Sequence, residues 1–182
     1  MSVRTTLLAL FALSMALNAQ EPIFWSENDP RCSHQYDKGL LTKAITENHL
    51  TVSVSLLDKD GHFLLFVLVM NERTTSIDLL AENIAIWSAI ERNKKILHPL
   101  PLSKVVPKCN FPALNCDSYA GGINAYIKWL NESALSSSTL APHKGVTGVV
   151  FFPRENKKRN DVIVYLPIGG DTFEFQMSPQ FQ

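Results

Sequence analysis

A chain of 182 residues, 46% of them apolar, has room for one ordinary domain with a real core. Its 17 basic and 17 acidic residues cancel, so nothing electrostatic favours a nucleic acid or an anionic membrane as partner. Low charge and plentiful β-branched residues argue against disorder.

Residues 1–19 read as a secretory signal. Arg4 precedes an uncharged, mostly apolar run over 7–17, and small residues follow. Cleavage is expected after Ala19, with Ala16 as the alternative because Ser14 stands two places before it. The run is too short for a spanning anchor, which needs ~20 residues. No Cys near the cut invites a lipid. Removing the leader removes Arg4 and leaves one more acid than base. No second long apolar run follows, so no transmembrane span is expected in the mature chain.

Residues 20–41 are polar, with Pro22, Asn28-Asp29-Pro30 and three aromatic side chains. They read as an irregular arm whose Phe24 and Trp25 dock on the domain. From 42 to 182 the pattern is mainly β. Residues 51–56 alternate Val52, Val54 and Leu56 with Thr51, Ser53 and Ser55, the period of a half-buried strand. Asp58-Lys59-Asp60-Gly61 supplies a hairpin turn. Residues 62–70 are apolar enough for a central strand. Asn71-Glu72-Arg73 turns the chain, and 74–80 and 83–90 read as two more strands. In the second of these, Ile84 and Ile86 oppose Trp87.

Pro99, Pro101, Pro107 and Pro112 bar a central strand or a long helix over 100–112. A helix is expected near 117–131, capped by Ser118, with Ile123, Ile127 and Leu130 on one face. Gly121-Gly122 moves its firm part to Ile123. Strands follow at 145–152, 161–168 and 172–177. The last two join through Gly169-Gly170-Asp171, with Phe173, Phe175 and Met177 facing inward. About eight strands in short antiparallel connections make a two-layer sandwich with one inserted helix.

Three segments carry a resemblance. One is Val67-Leu68-Val69-Met70-Asn71-Glu72, closing a strand pair. The second is Ser138-Thr139-Leu140-Ala141-Pro142-His143-Lys144-Gly145 running into Gly148-Val149-Val150-Phe151-Phe152. The third is the final stretch from Val164 to Phe175. Over residues 50–177 the chain resembles exported bacterial domains of immunoglobulin-like β-sandwich fold, from which the inserted helix departs. The shared residues are turn and core residues, so the resemblance implies a fold and brings no catalytic residue with it.

Chemistry-bearing patterns are sparse. The sequence has no nucleophile elbow, no phosphate-binding glycine loop and no zinc-protease helix, and no cofactor is expected. Asp58-x-Asp60-Gly61 is a fragment of a calcium loop that lacks the later ligands. His34, His49, His62, His98 and His143 are scattered. Cys32 and His34 could pair a thiol with a base, but one such pair makes no zinc site. Cys109 and Cys116 flank a Pro-containing turn, and a disulfide between them is favoured among three pairings. Asn131-Glu132-Ser133 matches a glycosylation acceptor. Tyr119, Tyr126 and Trp129 could line a sugar site, but Ile123 and Leu130 flank the face shared by Tyr126 and Trp129, so packing on the sheet is the favoured use. Arg154, Lys157, Lys158 and Arg159 crowd one hairpin tip, which could touch an acidic partner or simply stay solvated.

The reading that follows is an exported, non-catalytic binding or assembly module whose partner is another envelope or extracellular protein. The alternatives are an envelope enzyme, or a small-ligand or carbohydrate binder, with a site assembled from distant residues.

Overall fold

The structure, a computed structural model, describes residues 21–37, 39–59, 61–88, 96–105, 122–154 and 161–181. The expected leader and the Cys109–Cys116 bridge lie outside them.

Two β-sheets pack face to face. In the first, β2 (Cys32–Asp37), β3 (Leu40–Glu47), β4 (Leu50–Lys59) and β5 (His62–Asn71) form an antiparallel meander, and β10 (Lys144–Pro153) adds to the far side of β5. A short β13 (Gln180–Phe181) continues alongside β4 where β3 leaves it. The second sheet is built on the hairpin of β11 (Val162–Ile168) and β12 (Asp171–Met177). β1 (Ile23–Phe24) pairs with β12; β6 (Ile77–Leu79) and β7 (Ala85–Ser88) share the other side of β11. β8 (Ile96–Leu97) and β9 (Ser138–Leu140) complete it outside β7 and β6.

The alternation in the sequence becomes the core. Val52, Val54 and Leu56 of β4, with Leu65, Val67 and Val69 of β5, face Val164, Leu166, Phe173 and Phe175 across the sandwich. Burying each such side chain contributes about 1.5–3 kcal/mol. A smaller apolar cluster lies on the opposite face of the first sheet. There α1 (Leu102–Val105) and α2 (Gly122–Ser133) place Val105 and Leu130 over Leu57, Leu64, Val149 and Phe151. The expected insertion is therefore a third, partial layer. No helix among the described residues is long and apolar enough to cross a membrane.

Three expectations change. The arm over 20–41 is not irregular: it supplies one edge strand to each sheet, β1 and β2. The strand expected at 74–80 shortens to β6, and the one expected at 83–90 starts only at Ala85, because a 3-10 turn at Ala81–Asn83 separates them; residues 89 and 90 lie outside the described residues. β5 is central as expected but is not covered throughout, since Leu68 and Met70 remain over a third exposed beyond the reach of α2.

One buried polar residue explains how the sheets are joined. The chain crosses between them after β5 and again before β10, and Asn71 stands where both crossings begin and end. Its Nδ2 donates to the carbonyls of Thr75, Leu140 and Ala141 at 3.0, 3.1 and 3.1 Å. Its Oδ1 accepts from the Arg73 backbone N–H at 3.1 Å. Arg73 extends the clasp, giving Nε to the Asn48 carbonyl at 2.9 Å and pairing with buried Asp171. Asn48 and His49 both have positive φ, 48° and 60°, as a tight two-residue hairpin turn requires.

Asn71→Ala should lower the unfolding free energy by about 2–4 kcal/mol, because buried carbonyls lose their donor. Urea unfolding of the mature chain measures this. A loss under about 0.5 kcal/mol would mean that the clasp does not hold the crossings.

Candidate functional site

Among the described residues, the sequence candidates do not gather into one site, although Arg154 of the basic tip and Asp58 of the calcium-like fragment meet. Arg154 is described: its Nε lies 3.1 Å from Oδ2 of Asp58, whose side chain is buried. Its guanidinium serves an internal carboxylate, so a substitution there reads on stability. Lys157, Lys158 and Arg159, and Asp60 of the calcium-like fragment, lie outside the described residues. A cation held by Asp58 would compete with the guanidinium already there. Among the described residues no three His, Cys, Asp or Glu side chains come together as a metal set. Trp129 packs edge-on against Phe151, ring centroids 6.3 Å apart, which is the packing role weighed for it. Tyr119 and the Tyr126 side chain lie outside the described residues.

Two other features stand out. The first is the β2 edge. β2 pairs with β3 in the register His34 with Lys43 and Tyr36 with Leu41. The Thr46 N–H donates to the Arg31 carbonyl. In an antiparallel ladder residues alternate between those that bond their partner and those that do not. Ser33 and Gln35 therefore turn their peptide groups toward β3. His34 and Tyr36 turn theirs outward, where no described strand meets them.

Aromatic rings run along this edge. Trp25 stacks edge-on with His34, centroids 6.0 Å apart, and His34 with Tyr36 at 6.3 Å. Tyr36 is 69% exposed and Phe24 is 58% exposed. The row is fixed from behind. Trp25 Nε1 donates to the Ser33 carbonyl at 3.0 Å. The Lys43 ammonium sits 3.9 Å from the centre of the Trp25 ring and donates to the Gln176 carbonyl. Burial lowers the Lys43 pKa, while Asp161 and Glu27 pull it back up. Cys32, the free thiol of the strand, accepts from the Ser26 N–H at 3.4 Å.

The turn that leads into β2 is electrostatically set. Arg31 clamps Asp29 and Glu47, each at 2.6 Å. Hydrogen bonds from the Arg31 side chain, then from its backbone, pull the Asp29 carboxyl down to about 2. The Cys32 N–H donates to the Asp29 carbonyl at 2.9 Å.

The second feature is a cleft of about 570 Å³ between the 3-10 turn, the Pro-rich stretch and the end of α2. Leu100 and Phe151 form part of an apolar floor, Pro99 and Pro101 a stiff wall, and Glu82 and Asn131 polar margins. The Ser137 hydroxyl donates to Glu82 and accepts from the Ala81 N–H at 2.7 Å. That bond to Ser137 lowers the Glu82 pKa.

Sequence reading missed the β2 edge, and allowed a ligand site assembled from distant residues without naming most of those that line the cleft. In residues 32–36 Cys, His and Tyr alternate with Ser and Gln, a period of two hidden because half-exposed edge strands carry few aliphatic residues. The cleft joins segments far apart in the chain and leaves no local pattern.

No protein-family model matches the chain, and no curated protein matches it. One solved structure is similar, the crystal structure of the yjhA protein from Bacillus subtilis. Identity is 13%, over 74% of this chain and 96% of that one, with a TM-score of 0.48.

Asp29 should titrate with a midpoint of about 2, well below its ordinary 3.8. A depressed carboxylate contributes stability above its ordinary pKa, and that contribution disappears as pH falls toward the folded value. The turn before β2 should therefore loosen between pH 4 and pH 2. Carboxyl NMR titration reads the midpoint, and Arg31→Ala should raise it only part of the way, because the backbone N–H of residue 31 still donates to the carboxylate. An ordinary midpoint in the wild type would remove the clamp from the account.

Proposed function

We propose that the chain is an exported, non-catalytic binding or assembly module that recruits an extended protein segment along the β2 edge. The observation that carries this reading is the pair of outward-facing peptide groups at His34 and Tyr36 beside a pre-ordered row of rings. Main-chain hydrogen bonds give a strand-addition site its affinity, and alternate side chains give it selectivity. The signal pattern of residues 1–19 supports export, which places the partner among envelope or extracellular proteins, a second copy of the exported chain included. Lys157, Lys158 and Arg159 are proposed as a further contact of that partner. The sandwich is proposed as immunoglobulin-like on its two mainly antiparallel sheets and repeated crossings between them. Four consecutive strands in one sheet, β2 to β5, are a departure from that type.

His34→Pro tests the edge. The His34 N–H points away from β3, so proline removes an outward donor without removing a ladder bond, as edge strands tolerate. Mature wild type should capture a partner from envelope extract, identified by mass spectrometry, and His34→Pro should lose it while unfolding at the same urea concentration. Capture unchanged in the variant would move the contact elsewhere. In the same preparation, intact mass should show residues 1–19 removed from the exported chain. Retention of the full-length chain in the cytosol would end the export reading.

The cleft favours a second reading, small-ligand binding. Its volume falls within the ~300–1,000 Å³ of ordinary ligand pockets, and one oriented carboxylate over an apolar floor suits an organic cation. Short alkylammonium ions should shift backbone NMR signals around Leu100 and Ser137, and alkylcarboxylates should not. Glu82→Gln should weaken the effect about tenfold, the loss of one charge-assisted bond. Equal shifts from both ions would exclude a charge-selective site.

A further inference from the structure

We infer that the segment added to β2 is β2 of a second copy of this chain, paired antiparallel about a two-fold axis at Gln35. The inference rests on the strand-addition reading and names its partner.

The register follows from which peptide groups are already used. In an antiparallel pair, outward-facing residues must meet outward-facing residues. Centring the axis on His34 would place Cys32 opposite Tyr36 of the second copy. That pairing needs the Cys32 N–H, which already donates to the Asp29 carbonyl at 2.9 Å. Centring it on Gln35 places His34 opposite Tyr36 and Tyr36 opposite His34. The outward N–H and C=O of both residues are then all used, in four reciprocal bonds, and the occupied Cys32 N–H stays out of the ladder. A self-complementary patch of this kind is what a two-fold dimer requires.

Charge and side chains agree with the register. Edge strands that avoid self-pairing carry charged residues or Pro. The first five residues of β2 are Cys-Ser-His-Gln-Tyr, uncharged and without Pro, and Asp37 at its end falls opposite Ser33 of the second copy rather than opposite another acid. No obligate like charges meet across the axis. The Gln35 side chains meet on one face of the joined sheet and can exchange amide hydrogen bonds. On the other face, each His34 sits beside a Tyr36 of the second copy, so the two Trp25–His34–Tyr36 rows become continuous. The first sheet, in the order β10-β5-β4-β3-β2, runs on through the axis into its copy.

The remaining edges suit this role less. The β10 edge is covered in its second half, where Leu135 N–H donates to the Val149 carbonyl and Leu100 N–H to that of Phe151. β1 is two residues long and β9 three. A single short strand pair buries less than the ~1,200 Å² of a standard stable interface, so the dimer is weak and concentration-dependent.

The test uses the mature chain. Sedimentation equilibrium from micromolar to millimolar concentration should show reversible monomer–dimer exchange, retained in His34→Ala and lost in His34→Pro. In a Cys32→Ser background, Gln35→Cys should give a disulfide-linked dimer under mild oxidation. Residues opposite each other without mutual hydrogen bonds lie ~4.5 Å apart at Cα, within disulfide range. Ser33→Cys in the same background should link much more slowly, because its counterpart across the axis is residue 37. A dimer that persists in His34→Pro, or links no faster at 35 than at 33, overturns the β2 placement. A monomer at every concentration whose wild type still captures a different partner in a His34→Pro-sensitive way overturns the second copy and leaves strand addition standing. A monomer with no such partner overturns both.

Discussion

The fold depends on holding two sheets together at the points where the chain leaves one for the other. Apolar faces attract each other without direction, so burial alone does not fix how the sheets are placed. Asn71 supplies direction. It is fully buried, and its amide reaches carbonyls on both crossings. An amide group has two N–H bonds for three carbonyls, so at least one bond is shared. The arrangement is satisfied only when the β5–β6 link and the end of β9 occupy their observed positions together. Arg73 adds the β3–β4 turn and buried Asp171 of the β11–β12 hairpin to the same knot.

With that end fixed, the rest of the architecture follows from spacing. Core side chains at every second position of β4, β5, β11 and β12 set the registers, since a one-residue slip would expose the whole set. Gly148 permits one further close approach. A Cβ there would come within 2.7 Å of the Leu135 Cα, so only glycine lets the segment after α2 lie against β10. That contact helps cover one edge of the first sheet and leaves β2 at the other.

How much of this was legible depended on burial. Strands with one wholly buried face declared themselves: Phe173, Phe175 and Met177, or Val162 and Val164, alternate strictly and sit where alternation places them. The helix also declared itself, with Leu130 on its buried face. β1 and β2 did not, because Pro22, Asn28 and Pro30 mark turns and the strand residues between and after them are mostly not aliphatic. Asn71 was readable as a turn residue but not as a clasp, since its acceptors at Leu140 and Ala141 lie about 70 places along the chain. Arg154 was misread for a related reason. Its basic neighbours suggested a solvated tip, while its partner Asp58 is buried across the hairpin.

The difference between the β2 edge and the cleft is one of preparation. Association is opposed by the ordering of whatever groups must be immobilised at the contact, and groups already ordered lower that cost. At the cleft only the Glu82 carboxylate is oriented, by Ser137. At the edge the restraints act from several sides. Trp25 is tied to Ser33 and covered by Lys43, the Cys32 N–H is held by Asp29, and Asp29 is held in turn by Arg31. These contacts anchor a six-residue strand at the margin of a sheet, where an unrestrained strand would fray. They do so without using the outward peptide groups of His34 and Tyr36. A margin stiffened in this way while its hydrogen-bonding groups face outward meets what the proposed strand addition requires, and the same groups would otherwise need covering to prevent unwanted pairing.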